Sequence, residues 1–288
     1  MITGQTKLLG VIGDPIGHSL SPVMHNAALA AMGLDYAYLP FPIRAADLRV
    51  AIAGLAVIGV QGFSVTIPHK QAIVPLLTEV SETARAIGAV NMVQWTDQGW
   101  VGTNTDMAGF LAPLRAYPWD WSQRVAVILG NGGAARAVVA GCAQLGCRSI
   151  WVVGRDPQKL EALRQSWDNT ALATPIQTCL WADFPPLIPQ ANLLVNTTPI
   201  GMYPQVQASP VTETALADLR PGAIAYDLIY TPRPTRFLEL AQQRGAIALD
   251  GLEMLVQQGA IALESWLGQP VPIAVMRQAL ERHLKTVG

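Results

Sequence analysis

The sequence predicts an α/β protein of two domains, and three observations carry that expectation. Short apolar runs of strand length alternate with helical stretches from the start of the chain, the pattern of a parallel sheet covered by helices. A glycine-rich turn, Gly130-Asn131-Gly132-Gly133-Ala134-Ala135, stands between a strand-like and a helix-like segment. Clusters of polar residues recur just after strand-like runs, where open α/β sheets form their ligand sites.

In chain order, strands are expected at Leu8 to Ile12, Tyr36 to Phe41, Gly62 to Thr66 and Ala89 to Trp95, with helices from about Pro22 to Met32 and Ala46 to Ile58. Ser21 before Pro22 reads as a helix N-cap with proline at the first helical position. A second series begins near residue 108 with a helix to Tyr117. A βαβ unit follows: strand Val125 to Leu129, the glycine-rich turn, a helix to Leu145, strand Ser149 to Val153 and a helix from Pro157. Further strands are expected at Leu193 to Asn196, Ala223 to Asp227 and Ala246 to Leu249. Residues 107–251 then make a Rossmann-type doubly wound domain inserted between residues 1–106 and residues 252–288. The last stretch reads as two helices broken around Gly268-Gln269-Pro270; lacking a sheet of its own, it is expected to pack back on the first domain.

Composition excludes several classes of function. With 288 residues, 51% of them hydrophobic, the chain has material for two cores. Nineteen basic against twenty acidic residues leave a net charge of −1, without the basic excess of a nucleic-acid binder. The longest apolar run, Val50 to Val60, is too short to span a membrane, and Met1-Ile2-Thr3-Gly4 opens no leader segment, so a cytoplasmic protein is expected. Cys142, Cys147 and Cys179 form no Cys-x-x-Cys pair, and His18, His25 and His69 no ligand set, so all six read as structural and no metal is expected.

The Gly130 to Ala135 turn has the form G-x-G-x-x-A. Its glycines let the backbone turn tightly and approach a pyrophosphate, while the unpaired N–H groups of the helix start attract phosphate. An NAD site usually ends its second strand on a carboxylate that accepts from the ribose 2′-OH. Here the strand ends Val153-Gly154-Arg155, and Arg155 offers a charge-assisted contact to a 2′-phosphate, which favours NADP. Asp156 is a complication: it either repels that phosphate or caps the next helix. Arg155 as a solvated loop charge is the plain alternative.

Three segments concentrate the remaining chemistry: Gly13-Asp14-Pro15-Ile16-Gly17-His18-Ser19-Leu20-Ser21-Pro22, Ser64-Val65-Thr66-Ile67-Pro68-His69-Lys70, and Asn104-Thr105-Asp106-Met107-Ala108-Gly109. Ser19 and Ser21 can donate to a carboxylate, while Thr66, Asn91 and Asp106 suit ring hydroxyls. With Gly130 to Ala137, Asn196-Thr197-Thr198-Pro199-Ile200-Gly201-Met202 and Asp250-Gly251-Leu252-Glu253-Met254-Leu255-Val256-Gln257-Gln258, in this order and over almost the whole chain, they resemble the shikimate dehydrogenase family.

The resemblance implies reversible reduction of 3-dehydroshikimate by NADPH in aromatic amino-acid biosynthesis. It also implies an N-terminal substrate domain completed by the C-terminal helices, an inserted NADP domain and a cleft between them. By the same resemblance Lys70 and Asp106 form the catalytic pair. Ser19 and Ser21 hold the substrate carboxylate; Thr66, Asn91, Tyr230 and Gln258 line the ring site. Gly130, Asn131, Gly132, Gly133, Ala134 and Arg155 contact the cofactor, with Leu228 and Gly251 near its nicotinamide. The chain departs from the family's common pattern at Ser64, usually asparagine, and at Gly154-Arg155-Asp156, usually Asn-Arg-Thr. Singly, each residue has a plainer reading: Ser19 and Ser21 as turn and cap residues, Lys70 as a solvated helix-start charge, Asp106 as an N-cap. Two rivals stay open, a quinate or dual quinate/shikimate dehydrogenase and a catalytically silent NADP-binding regulatory module. A homodimer is also left open.

Overall fold

The computed structural model describes residues 2–167 and 174–287. The chain divides into two compact units, Met1–Gly109 with Leu255–Gly288, and Phe110–Met254. The sequence placed these crossings at 106/107 and 251/252; each falls instead a few residues inside a helix.

The first unit begins β1 (Lys7–Gly13), α1 (Ser21–Ala31), β2 (Tyr36–Pro42), α2 (Leu48–Val57), β3 (Val60–Val65) and α3 (His69–Ala72). It continues β4 (Glu79–Val80), α4 (Glu82–Ile87), β5 (Met92–Thr96), β6 (Gly99–Thr103) and the start of α5 (Asp106–Leu114). The strands form one sheet in the order β2-β1-β3-β5-β6-β4. β1 runs parallel to β2 and β3, but β5 is antiparallel to both β3 and β6, so the sheet is mixed and not the parallel one expected. Between β5 and β6 the cause is the two-residue link Asp97-Gln98 with Gly99 at φ +113°, a hairpin turn that returns the chain directly and leaves no room for a crossover.

Two helix and strand boundaries also differ from expectation. Leu20, not Ser21, is the residue before the first turn of α1; Ser21 is already helical, and no side chain caps that end. The strand expected from Ala89 starts at Met92, because Asn91 turns its side chain to the backbone of Thr105, whose N–H reaches Asn91 Oδ1 at 2.7 Å. The outer edge of β2 is covered locally: Asn26 of α1 donates to the Tyr38 carbonyl and accepts from its N–H, both at 2.9 Å, and Pro40 and Pro42 carry no N–H. Beneath the sheet, Phe63 meets Trp100 edge to face at 4.9 Å among Ile12, Ile52, Val65 and Val93. Each such buried apolar side chain contributes about 1.5–3 kcal/mol.

The second unit holds β7 (Val125–Leu129), α6 (Gly133–Gln144), β8 (Ser149–Gly154), α7 (Pro157–Gln165), β9 (Ile176–Leu180), β10 (Leu193–Asn196), α8 (Glu213–Leu216), β11 (Ile224–Asp227), α9 (Arg236–Gln243) and β12 (Ile247–Leu249). All neighbours in the order β12-β11-β10-β7-β8-β9 are parallel. The chain starts mid-sheet, winds out through β8 and β9, then restarts beside β7 at β10, which makes β7/β10 the switch point where such sheets bind ligands. The inner strands read as unbroken apolar runs because helices cover them: β7, β10 and β11 are buried almost end to end. β9, an edge strand whose two polar residues, Gln177 and Thr178, are adjacent and whose side chains are half-exposed, escaped the sequence reading for that reason.

The chain closes with α10 (Leu252–Leu267) and α11 (Ile273–Val287). From Leu255 onward both belong to the first unit. Gly259 lets α10 approach α1, since a Cβ there would overlap Met24; Trp266 lies over Gly62 and donates to the Val93 carbonyl at 2.9 Å. These contacts place Gln258 beside the carboxyl end of the first sheet.

Candidate active site

Lys70 enters from the short helix α3. The fully buried His69 anchors that helix by donating from Nε2 to the Ile43 carbonyl at 2.6 Å, and the Lys70 carbonyl accepts from Val90 N–H at 2.8 Å. Lys70 is thereby held beside the segment that carries Asn91. Its ammonium donates to Asp106 Oδ2 at 2.5 Å, with the two side chains 16% and 6% exposed. This is not the environment of a solvated helix-start charge. Nor is Asp106 spent as a cap: Asn104 Oδ1 accepts from the N–H groups of Asp106 and Met107, at 3.0 and 3.4 Å, and so frees the carboxylate.

Asp106 Oδ1 accepts from Asn91 Nδ2 at 2.9 Å. The same amide reaches Thr105 Oγ1 and Gln258 Oε1, at 2.9 and 3.2 Å, and Thr105 Oγ1 donates to the Gln258 carbonyl at 3.0 Å. Lys70, Asp106, Asn91 and Gln258 therefore form one buried network drawn from four distant stretches of chain. Burying an ion pair costs desolvation energy, which is offset only when its remaining polar atoms are bonded; here both carboxylate oxygens have donors.

The loop after β1 carries Ser19 and leads into α1, whose first residue is Ser21. Gly13 at its base lies against the Thr66 methyl, and Asp14 N–H donates to the Ile67 carbonyl at 3.1 Å, so the serine loop and the Thr66–Lys70 segment are packed together. Ser19 also serves the turn, its Oγ accepting from Ser21 N–H at 3.3 Å. His25 is buried and donates from Nδ1 to the Ser21 carbonyl at 2.8 Å; burial lowers its pKa to about 4, so the ring is neutral.

In the second unit the glycine-rich turn sits at the switch point. Gly130 takes φ +110°, and a side chain there would strike Thr197 Oγ1. Gly132 precedes the first turn of α6, where no side chain caps the helix, and a Cβ on it would meet open space. Asn131 Nδ2 is buried without a partner. Free helix N–H groups, an open cradle and an orphaned donor fit a bound pyrophosphate. Gly133 and Ala134 form the first turn of α6. At the end of β8, Gly154 stands where an NAD site has its acidic residue, and a Cβ there would press on the Leu160 and Asn131 side chains. Arg155 next to it is exposed, while Asp156 accepts from the N–H groups of Gln158 and Lys159, at 2.9 and 3.2 Å, and caps α7. The carboxylate that complicated the sequence reading is thus engaged by its own helix.

Leu228 and Gly251 meet: a Cβ on Gly251 would fall on the Leu228 carbonyl, and Gly251 N–H donates to the Ile229 carbonyl at 3.0 Å. Tyr230 follows them in the second unit, on the loop after β11. Sequence reasoning missed what holds this loop. Asp227 is fully buried and accepts from Asn196 Nδ2, Ile229 N–H and Thr235 Oγ1, at 3.0, 3.1 and 2.7 Å. Burial raises its pKa to about 6 against the pull of those donors. The signal was present, since Asn196 and Asp227 each end an apolar strand on a polar residue. Asn104 and Thr105 were likewise passed over, although they adjoin Asp106.

The shikimate dehydrogenase substrate binding domain matches residues 11–93, and the shikimate 5'-dehydrogenase C-terminal domain matches residues 251–281. A shikimate dehydrogenase (NADP(+)) of Trichormus variabilis is 66% identical over 289 residues, covering 100% of both chains. A crystal structure of a shikimate dehydrogenase in complex with NADP+ superposes with a TM-score of 0.88 at 35% identity, covering 99% of this chain and 98% of that one. The shikimate 5-dehydrogenase of Thermus thermophilus, solved with NADP(H) and shikimate, gives 0.83 at 33% identity, covering 96% and 99%. Identity of this extent over the full length of both chains leaves one conclusion: the chain belongs to the shikimate dehydrogenase family.

Proposed function

We propose that this chain catalyses the reversible NADPH-dependent reduction of 3-dehydroshikimate to shikimate, with Lys70 and Asp106 as its catalytic pair. The observation that carries the reading is the buried Lys70–Asp106 pair, tied through Asn91 to Gln258. NADPH, when bound, supplies the hydride. The glycine-rich turn and the start of α6 would hold its pyrophosphate, and Arg155 would meet the 2′-phosphate.

On the protein's side, the Lys70 ammonium points its proton at the ring ketone and delivers it to the oxygen as alkoxide character develops. Asp106 accepts from the neighbouring ring hydroxyl and keeps the ammonium in place; Asn91 keeps Asp106 in place. Thr66 and Gln258 bind ring hydroxyls, and Ser19 and Ser21 donate to the carboxylate. A new C–H bond and a new O–H bond form, the lysine becomes neutral, and solvent restores its proton.

The test is the loss of NADPH absorbance on adding 3-dehydroshikimate, repeated with NADH, and in the oxidative direction with shikimate and with quinate. Turnover with 3-dehydroshikimate and NADPH well above the other pairings is the expected result. Quinate turned over as well as shikimate would transfer the reading to a dual enzyme, and no turnover with any pair would reduce it to a binding module.

A further inference from the structure

Tyr38 of β2 is fully buried, although it lies on an edge strand. Three contacts fix it: Asn26 clamps its backbone, the His25 ring stacks on it at 4.0 Å with 7° between planes, and Trp266 tilts against it at 6.1 Å. Its hydroxyl donates to Ser64 Oγ at 2.8 Å. Burial pushes the phenol's pKa well up, so it remains a proton donor throughout the working range.

A phenol has one proton. Given to Ser64, it occupies an acceptor site on that hydroxyl, and Ser64 cannot donate back along the same line; its own proton must point elsewhere. Ser64 is 8% exposed, so its hydroxyl has few orientations left. Ser64 lies two residues before Thr66 on the strand that leads to Lys70, and Ser21 opens the helix of the serine loop.

We propose that Tyr38 is a positioning residue for the carboxylate end of the substrate, acting through the Ser64 hydroxyl, which it holds in the donor orientation an anion requires. This rests on the reading that the serine loop binds the carboxylate. The contribution is made in the ground state and the transition state alike, so it falls on KM and not on kcat.

Tyr38→Phe keeps the ring, its stacking and its volume and removes only the hydroxyl. Expected are a five- to ten-fold rise in KM for shikimate, the worth of about one neutral hydrogen bond, with kcat and the KM for NADP within two-fold of wild type. In a Ser64→Ala background the same change should add less than two-fold, because the group through which Tyr38 acts is already gone. Inhibition by shikimate methyl ester, which lacks the negative charge, should be weakened in Tyr38→Phe less than shikimate binding is. An unchanged KM, an equal effect with and without Ser64, or a parallel fall in kcat and thermal stability would overturn the proposal. Failure of the underlying reading has its own signature: the double variant Ser19→Ala, Ser21→Ala would leave KM for shikimate untouched.

Discussion

Replacing Lys70 by methionine tests the centre of the mechanism. The stem still packs in a site where the side chain is 16% exposed, while the proton and the positive charge are lost. If the ammonium acts only as the alkoxide forms, kcat falls by about 10² to 10⁴, the usual worth of general acid catalysis, which is about 2.7–5.5 kcal/mol of barrier. KM should move only a few-fold. Stability suffers separately: Asp106, 6% exposed and still held by Asn91, loses its counter-charge, and breaking a buried pair costs about 3–5 kcal/mol while the carboxylate stays ionised. Adding Asp106→Asn should recover much of that stability without restoring the rate, which separates the catalytic loss from the folding loss. The assay is single-turnover hydride transfer with NADPH and 3-dehydroshikimate, alongside urea denaturation of both variants. A fast hydride step with only KM raised would make Lys70 a binding residue and refute the assignment.

Four further outcomes follow from the cofactor unit and the buried titrating groups. Arg155→Ala should weaken NADP binding by about 1.5 kcal/mol, the low end for a charge-assisted bond at this exposed position, and leave NAD binding nearly unchanged by calorimetry; equal losses would remove its phosphate role. Gly132→Ala should fold as wild type, since a Cβ there meets open space, yet raise KM for NADP at least ten-fold by filling the cradle; unchanged KM would place the pyrophosphate elsewhere. Asp227, raised from 3.8 to about 6, keeps its proton in the native state across that window, so its contribution to stability falls as pH rises from about 4 to 6. Asp227→Asn should therefore gain on wild type by up to about 3 kcal/mol between pH 4 and pH 7 in urea midpoints, and a constant difference would refute it. His25 has the opposite sign: lowered from 6.5 to about 4, it contributes fully above pH 6.5 and is lost as pH falls toward 4, so His25→Gln should flatten that acid limb.

The sequence by itself determined the α/β class, the winding of the second sheet and the position of the glycine-rich turn. These are encoded locally: Val125 to Leu129 is apolar throughout because both faces of a central parallel strand are buried, and Gly130 is required by its own backbone angle. It also placed Lys70, Asp106, Asn91 and Gln258 on the page as candidates, through the order of their segments. What only the tertiary structure decided is how those side chains are used. Ser21 read as a cap by its neighbours, yet the helix begins one residue earlier, with Leu20 before its first turn and no side chain capping it. Asp106 read equally well as a cap, and Asn104 performs that task instead. Asp156 read as a rival for the 2′-phosphate and proved to be bonded to its own helix. In each case a short polar side chain has two or three partners of comparable energy within reach. The choice among them depends on residues tens of positions away in the chain, such as Gln258, which lies 167 residues from Asn91 and bonds to it.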